Sequence, residues 1–301
     1  MNWIVRRPDT SLIVSAFVTV AVLGGCTADS GGADFEVAAV KDRAQWILPL
    51  DDYLGMGANL QSERAHAIVM THCMAAYNIR FPQPSLEALE VNPIRNSANR
   101  RLFDVEIANQ FGYGSAPFDS EALRLEQLAT EAYAVAVESP EGAAAREECD
   151  QEQNDAVPRR PDGLSAAEDL AWKAYETAKV DQEVLDAIEQ WRECMVPVGV
   201  AELPEWPEDM PPSELWDQWK EGPTGEDGPI LDWTPPSAEE VTLAAADAKC
   251  REDSRFAEAF YGAEWEAQVA LMADNEEKLE RIHASIGEFE RELDEVLANL
   301  E

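Results

Sequence analysis

"CMAAYNIRFP", residues 73–82, returns in altered form as "CMVPVGVAELP", residues 194–204. Each copy runs Cys-Met, a three-residue spacer, Asn78 or Gly199, a β-branched apolar residue, and then Phe81 or Leu203 ahead of a proline. Before the first copy, in "QSERAHAIVMTHCMAAYNI" (61–79), apolar side chains recur at Ala65, Ile68, Val69, Cys73, Ala76 and Tyr77. That is the spacing of a helix with one buried stripe. Asn and Gly suit the left-handed residue that ends a helix, so Asn78 and Gly199 mark two helix ends. Pro197 predicts that the second helix stops sooner than the first. Phe81 and Leu203 would then fold back onto the helix ends. The chain reads as all-α, with two related helical units at 45–155 and 164–301.

Cysteine placement fits the same duplication. Cys26 lies near the start, and Cys73, Cys149, Cys194 and Cys250 remain. An even number in an exported chain argues for disulfides, and four cysteines allow three pairings. The repeat favours Cys73–Cys149 and Cys194–Cys250, because each Cys-Met then finds a partner in its own half. A redox or metal role is disfavoured, since no two cysteines stand in a Cys-x-x-Cys arrangement.

Export itself is read from "MNWIVRRPDTSLIVSAFVTVAVLGGC" (1–26). Arg6 and Arg7 form a positive leader, and Ser11 to Leu23 is an apolar run suited to a signal-peptide core rather than a membrane span. Pro8 and Asp9 argue for the general secretory route over twin-arginine export. "LGGC" resembles the lipobox of bacterial lipoproteins, which implies cleavage of residues 1–25 and acylation of Cys26. The lipid bilayer is then a partner through Cys26. Residues 26–44 read as a flexible spacer, small and acidic in composition.

Sixty acids stand against twenty-three Lys and Arg, for a net charge of −37. Such a surface repels polyanions, so no nucleic acid is expected as a partner.

"NSANRRLFDVEIANQFGYG" (96–114) reads as a helix stopped by Gly112 and Gly114. "SEALRLEQLATEAYAVAVES" (120–139) and "EGAAAREECDQE" (141–152) supply the return that carries Cys149. "NDAVPRRPDG" (154–163) separates the halves. In the second half, Ser165 with Glu168 and Ser237 with Glu240 form capping boxes. Between them, Leu170, Ala171, Ala174, Tyr175 and Ala178 make one helical stripe. Asp181 caps a helix with Val184, Leu185, Ile188, Trp191 and Met195 inward. The Trp-rich loop 204–236 contains one short helix at 213–220. From residue 255 to 300 a long terminal helix is expected, with Gly262 and Gly287 as candidate hinges. Its seam of Met272, Asn275, Leu279, Ile282, Ile286, Phe289, Leu293, Val296 and Leu300 follows a heptad. Such a seam docks either a partner helix or the chain's own fold.

"LPLDDY", "CMAAYNI", "NRRLFD" with "ANQFGYG", "WRECMVPVG" and "AAADAKCRED" followed by a long helix resemble a group of actinobacterial lipoproteins and secreted proteins. These pieces span most of residues 46–300. The resemblance implies an envelope location and a Cys-paired helical fold. It carries no activity and so transfers no catalytic residue.

No catalytic pattern emerges from the residues themselves, and no cofactor or metal is called for. His66 and His72 lie on different sides of one helix, Glu63 and His66 form at most a weak pair, and His283 flanks the seam. The segment from Asp150 begins like a calcium loop, but Asp155 replaces the required Gly and Pro161 the required Glu. "GPTGEDGP" lacks a lysine and would repel phosphate. No Gly-x-Ser-x-Gly elbow or His-Glu-x-x-His motif occurs.

The remaining candidate is Trp206, Trp216, Trp219 and Trp233 among acids and prolines. Aromatic faces beside carboxylates suit sugar stacking, and Trp anchors protein interfaces. The same rings would also serve to cover the Ala-rich hairpin beneath them. The expected function is a binding or scaffold component of the cell envelope, with an envelope protein or glycan as partner. The alternative is a glycan- or peptide-binding lipoprotein that uses loop 204–236.

Overall fold

The computed structural model describes residues 39–82, 94–96, 102–114, 116, 120–220 and 235–300. The leader, residues 26–38 of the spacer including Cys26, and Trp233 lie outside the described residues. Ten α-helices are described: α1 Met56–Ala76, α2 Val105–Phe111, α3 Ser120–Val137, α4 Pro140–Ala156 and α5 Leu164–Ala178, followed by α6 Gln182–Met195, α7 Ser213–Lys220, α8 Ala238–Asp253, α9 Phe256–Ala273 and α10 Glu276–Leu300. An isolated antiparallel bridge pairs Asp42 with Ile47.

The repeated motif is a repeated helix ending. Asn78 takes φ 57° and Gly199 φ 85°, both left-handed. After α1 the Ile79 amide returns to the Met74 carbonyl at 3.1 Å, and Phe81 packs with Met74, Tyr133 and the Cys73–Cys149 pair. In the second copy α6 stops at Met195, and Val196–Val198 continues as a single 3-10 turn. Leu203 returns to the cluster that holds Met195 and Cys250. Disulfides join Cys73 to Cys149, tying α1 to α4, and Cys194 to Cys250, tying α6 to α8.

Each half keeps its own disulfide, yet the apolar cores are shared across halves. α1 packs on α4 from its own half and on α10 from the other, while α2 packs on α8. One core gathers Ala58, Ala65 and Val69 of α1 with Leu164 and Ala167 of α5 and Leu279, Ile282 and Leu293 of α10. A second gathers Ala108 and Tyr113 with α6, α8 and α9, centred on Trp191 and Phe260. "LPLDDY" docks on α9. There the Leu50 amide donates to buried Gln268 at 2.8 Å, and the Tyr261 hydroxyl donates to the Ile47 carbonyl at 2.6 Å.

Several local expectations shift. The terminal helix bends at neither Gly262 nor Gly287; it divides at Asp274–Asn275 into α9 and α10. Asn275 diverts the backbone there, its side-chain amide donating to the Leu271 carbonyl at 2.8 Å. Beyond the break the seam is spent inside the chain: Leu279, Ile282, Ile286, Phe289 and Leu293 are buried against α1 and α5, with Val296 and Leu300 packed beside them. α1 is pressed from two sides, so Met70 and Met74 are buried while Ala76 and Tyr77 at its end are exposed. On α6, Ala187 turns inward in place of Leu185, which is exposed, because the helix wedges between α8 and α9. The first capping box does not form. α5 starts two residues early, on buried Leu164 with Gly163 in the cap position, and Glu168 pairs with Arg160 instead. Asp104 caps α2 at the Ile107 amide, so that helix is shorter than expected. The Asp181 cap forms as expected.

Because the seam closes the core against α1, Leu293→Ala is expected to cost about 2–5 kcal/mol of unfolding free energy in urea denaturation. Exposed Leu185→Ala should cost well under 1 kcal/mol, as surface substitutions do.

Candidate functional site

The Trp-rich loop, α8 and α9 converge on a cavity of ≈ 770 Å³. Its aromatic lining is Trp46, Phe103, Tyr113, Tyr175, Trp216, Phe256 and Phe260. Among the described residues Asp104, Glu208, Asp217 and Glu264 are its acids, and Arg43 and Arg251 its cations. Lining residues therefore come from the segment before α1, from the flanks of α2, from α5, from α7 and the loop before it, and from α8 and α9.

Asp247 on α8, fully buried, anchors one side. One carboxylate oxygen accepts from Trp191 Nε1 at 2.8 Å and Arg251 Nε at 2.9 Å. The other accepts from Arg251 Nη2 at 2.6 Å and the Tyr113 hydroxyl at 3.1 Å. Arg251 also donates to the Pro207 carbonyl, and its guanidinium lies 4.4 Å from the centre of the Phe103 ring. A buried carboxylate without such partners is strongly destabilising, so this constellation fixes α2, α6, α8 and the Pro207 turn together. Desolvation, with Asp247 close by, holds the Tyr113 phenol far above its ordinary pKa, which keeps it a donor.

A second acid on α9, Glu264, is buried and accepts from Trp46 Nε1 at 3.1 Å. Glu208 stands on the 3-10 turn Pro207–Asp209 and accepts from the Tyr175 hydroxyl at 3.2 Å. The residue is exposed. Desolvation raises the Glu208 pKa; Arg251 and the Tyr175 hydroxyl oppose that rise, and Glu264 and Asp209 add to it. The Tyr175 phenol is raised in turn, first by desolvation and then by Glu208.

The three described tryptophans of the loop take different places. Trp216 on α7 lines the cavity. Trp219 lies parallel to Tyr113 with centroids 6.2 Å apart. Trp206 packs on Phe260, with Lys179 Nζ 4.8 Å above its ring. Both of these rings pack against the core, as a covering role requires. Trp233 lies outside the described residues. The other wall residues were not singled out by sequence. The one signal for them was an acid, Asp247, in the Ala-rich stripe of α8, with Arg251 one turn later.

Elsewhere His66 Nδ1 sits 2.6 Å from Gln153 Nε2, and burial lowers its pKa against the opposing pull of Glu63. His72 is exposed. Among the described residues no group of three or more His, Cys, Asp or Glu is placed to hold a metal ion, and no helix is long and apolar enough to cross a membrane. No family model matches the chain, and no curated protein or solved structure shows significant similarity to it.

Asp247→Ala is expected to lower stability by about 3–5 kcal/mol, since it strands Arg251 in the interior; urea denaturation measures the loss. The raised pKa of Glu208 means that the folded state keeps its proton to higher pH than the unfolded chain does. Stability from this group therefore falls as pH rises from the unfolded carboxylate value through the folded one. Glu208→Gln should match wild type in Tm at about pH 3, below the ordinary carboxylate range, and exceed it at about pH 7. A pH series of thermal melts checks the sign.

Proposed function

We infer that this chain is a lipid-anchored binding protein on the extracytoplasmic face of a cell membrane, which holds a small solute in the cavity beneath its Trp-containing loop. The location rests on sequence: the short apolar leader, "LGGC" at the lipobox position, and the even set of cysteines that follows. Two disulfides, each within its own half, are consistent with an oxidising compartment. Acylation at Cys26 would supply the anchor, with more than one chain needed for stable attachment.

The observation that carries the binding role is the cavity. Seven aromatic rings and four carboxylates border ≈ 770 Å³, within the size and character of small-molecule sites. Docking of a partner helix on the terminal helix would need an unpartnered apolar seam, and that of α10 is buried against α1 and α5.

Two measurements test the two parts. Mass spectrometry of the protein from membranes of an expressing bacterial host should find a mature chain beginning at acylated Cys26, with the other four cysteines disulfide-bonded. An unprocessed leader would overturn the location. Native mass spectrometry of the gently purified protein, after incubation with a small-molecule extract of the same cells, should show a retained solute that Trp216→Ala loses. Retention of nothing, or equal retention by the variant, would overturn the binding role.

A further inference from the structure

Trp172, on the outer side of α5, is the one exposed tryptophan among the described residues, at 64%. Ring area of that size is ordinarily covered, as it is at Trp191 and Trp265. The ring is also held in place. Its plane lies 24° from that of Tyr175, with centroids 5.4 Å apart. Tyr175 is braced in turn: its hydroxyl donates to Glu208 at 3.2 Å, and its ring meets the core residue Phe260 edge-on at 5.5 Å. One indole face is thus fixed by contacts that reach the core, and the other is left to solvent. A flat aromatic surface oriented in advance loses little freedom when it binds.

Polar groups flank the ring on both sides. Asp169 stands one turn before Trp172 and Glu176 one turn after it, on the same helix face and exposed. Farther along, Lys179 Nζ lies 3.9 Å from Glu176, 5.5 Å from the Tyr175 centroid and 4.8 Å from that of Trp206. Over about 15 Å of helix the strip therefore presents an acceptor, an aromatic face, a second acceptor, a donor and a second aromatic ring. Carboxylates only accept and an ammonium only donates. A ligand that uses the whole strip needs an apolar face together with an edge that both donates and accepts.

We propose that this strip binds a linear β-linked glycan of the cellulose or chitin type. One sugar ring stacks its C–H face on the open side of Trp172, its hydroxyls donate to Asp169 and Glu176, and a neighbouring sugar oxygen accepts from Lys179. A sugar ring has that amphiphilic form: an apolar C–H face and an edge of hydroxyls, each both donor and acceptor. Extended β-linkage carries the next units along α5 toward Trp206. An organic cation would gain from the ring but meets Lys179 and exposed Lys173 beside it, and an anion meets Asp169 and Glu176. The site is separate from the cavity, which Trp172 does not line, and it does not rest on a solute held there.

Calorimetric titration of the purified protein, both disulfides formed, tests the assignment with cellotetraose and chitotetraose as probes. Maltotetraose, whose α-linkages curve the chain, serves as the counterpart, and choline as the cation. Saturable binding of at least one β-linked sugar is expected, with maltotetraose weaker and choline silent. Trp172→Ala should weaken that binding roughly ten-fold or more, the scale of one lost aromatic stack, and Trp172→Phe, which keeps a flat ring, should weaken it less. Leu185→Ala, on the exposed side of α6, should leave it unchanged. Trp172 is itself a surface residue, so its replacement leaves the fold intact, and near-UV circular dichroism confirms this. NMR spectra of the indole N–H groups locate the contact: the signal that Trp172→Phe removes should move on titration. No saturable binding of either β-linked sugar would overturn the proposal, as would equal affinity in Trp172→Ala or an equal loss in Leu185→Ala. Equal binding of maltotetraose would overturn it too, and so would choline saturating the Trp172 signal while the sugars do not.

Discussion

A fully buried carboxylate on α8 sets the terms for one half of this molecule. Asp247 cannot stay charged in an apolar interior without compensation, and its four hydrogen bonds come from Arg251, Trp191 and Tyr113. Those donors belong to α8, to α6 and to the turn after α2, and Arg251 extends the grip to the Pro207 turn. Satisfying one charge therefore fixes the relative placement of elements far apart in sequence. The same act commits the Tyr113 and Arg251 donors beside the cavity.

The other half of the structure depends on apolar closure. α10 carries a clean apolar stripe and lays it over α1 and α5, while the Cys73–Cys149 bridge holds α1 against α4. Long-loop disulfides act mainly by restricting the unfolded chain, by roughly 4 kcal/mol each in the loop-entropy picture. In an Ala-rich protein, where many side chains bury little area, such staples supplement a core made thin by small residues. Gly112 shows how tightly the two systems meet. Its backbone is left-handed at φ 56°, and a Cβ there would stand 2.5 Å from a Glu240 oxygen. Glu240 accepts from the Tyr113 amide beside it instead of returning to its own helix cap.

The cavity joins these constraints to the proposed role. Its rings belong to segments that pack for structural reasons: Phe260 is core, Tyr113 braces Asp247, and Trp46 is held by Glu264. The mouth is formed by the Pro-rich loop and α7, whose few anchors include Trp216 and the turn at Glu208. On the proposed reading the protein meets its solute outside the cytoplasm.

Local rules were readable directly from the chain. The repeated Cys-Met motif foretold two helix ends with left-handed residues at Asn78 and Gly199, the fold-back of Phe81 and Leu203, and both disulfides, because each depends on near neighbours and on duplication. The short helix at 213–220 and the Asp181 cap were legible for the same reason. Where neighbours compete, sequence misled. Two glycines drew attention as hinges, while Asn275 broke the helix through its own side chain; Ser165 looked like a cap, but burial of Leu164 started α5 earlier. Periodicity exposed the α10 seam but not its partner, since a heptad states only that a face must be covered. The cavity was least visible. Of its wall, sequence flagged Trp216 alone, because Trp46, Phe103, Tyr175, Glu208 and Glu264 lie in different segments and become one site only when packing and the Asp247 pairing bring those segments together.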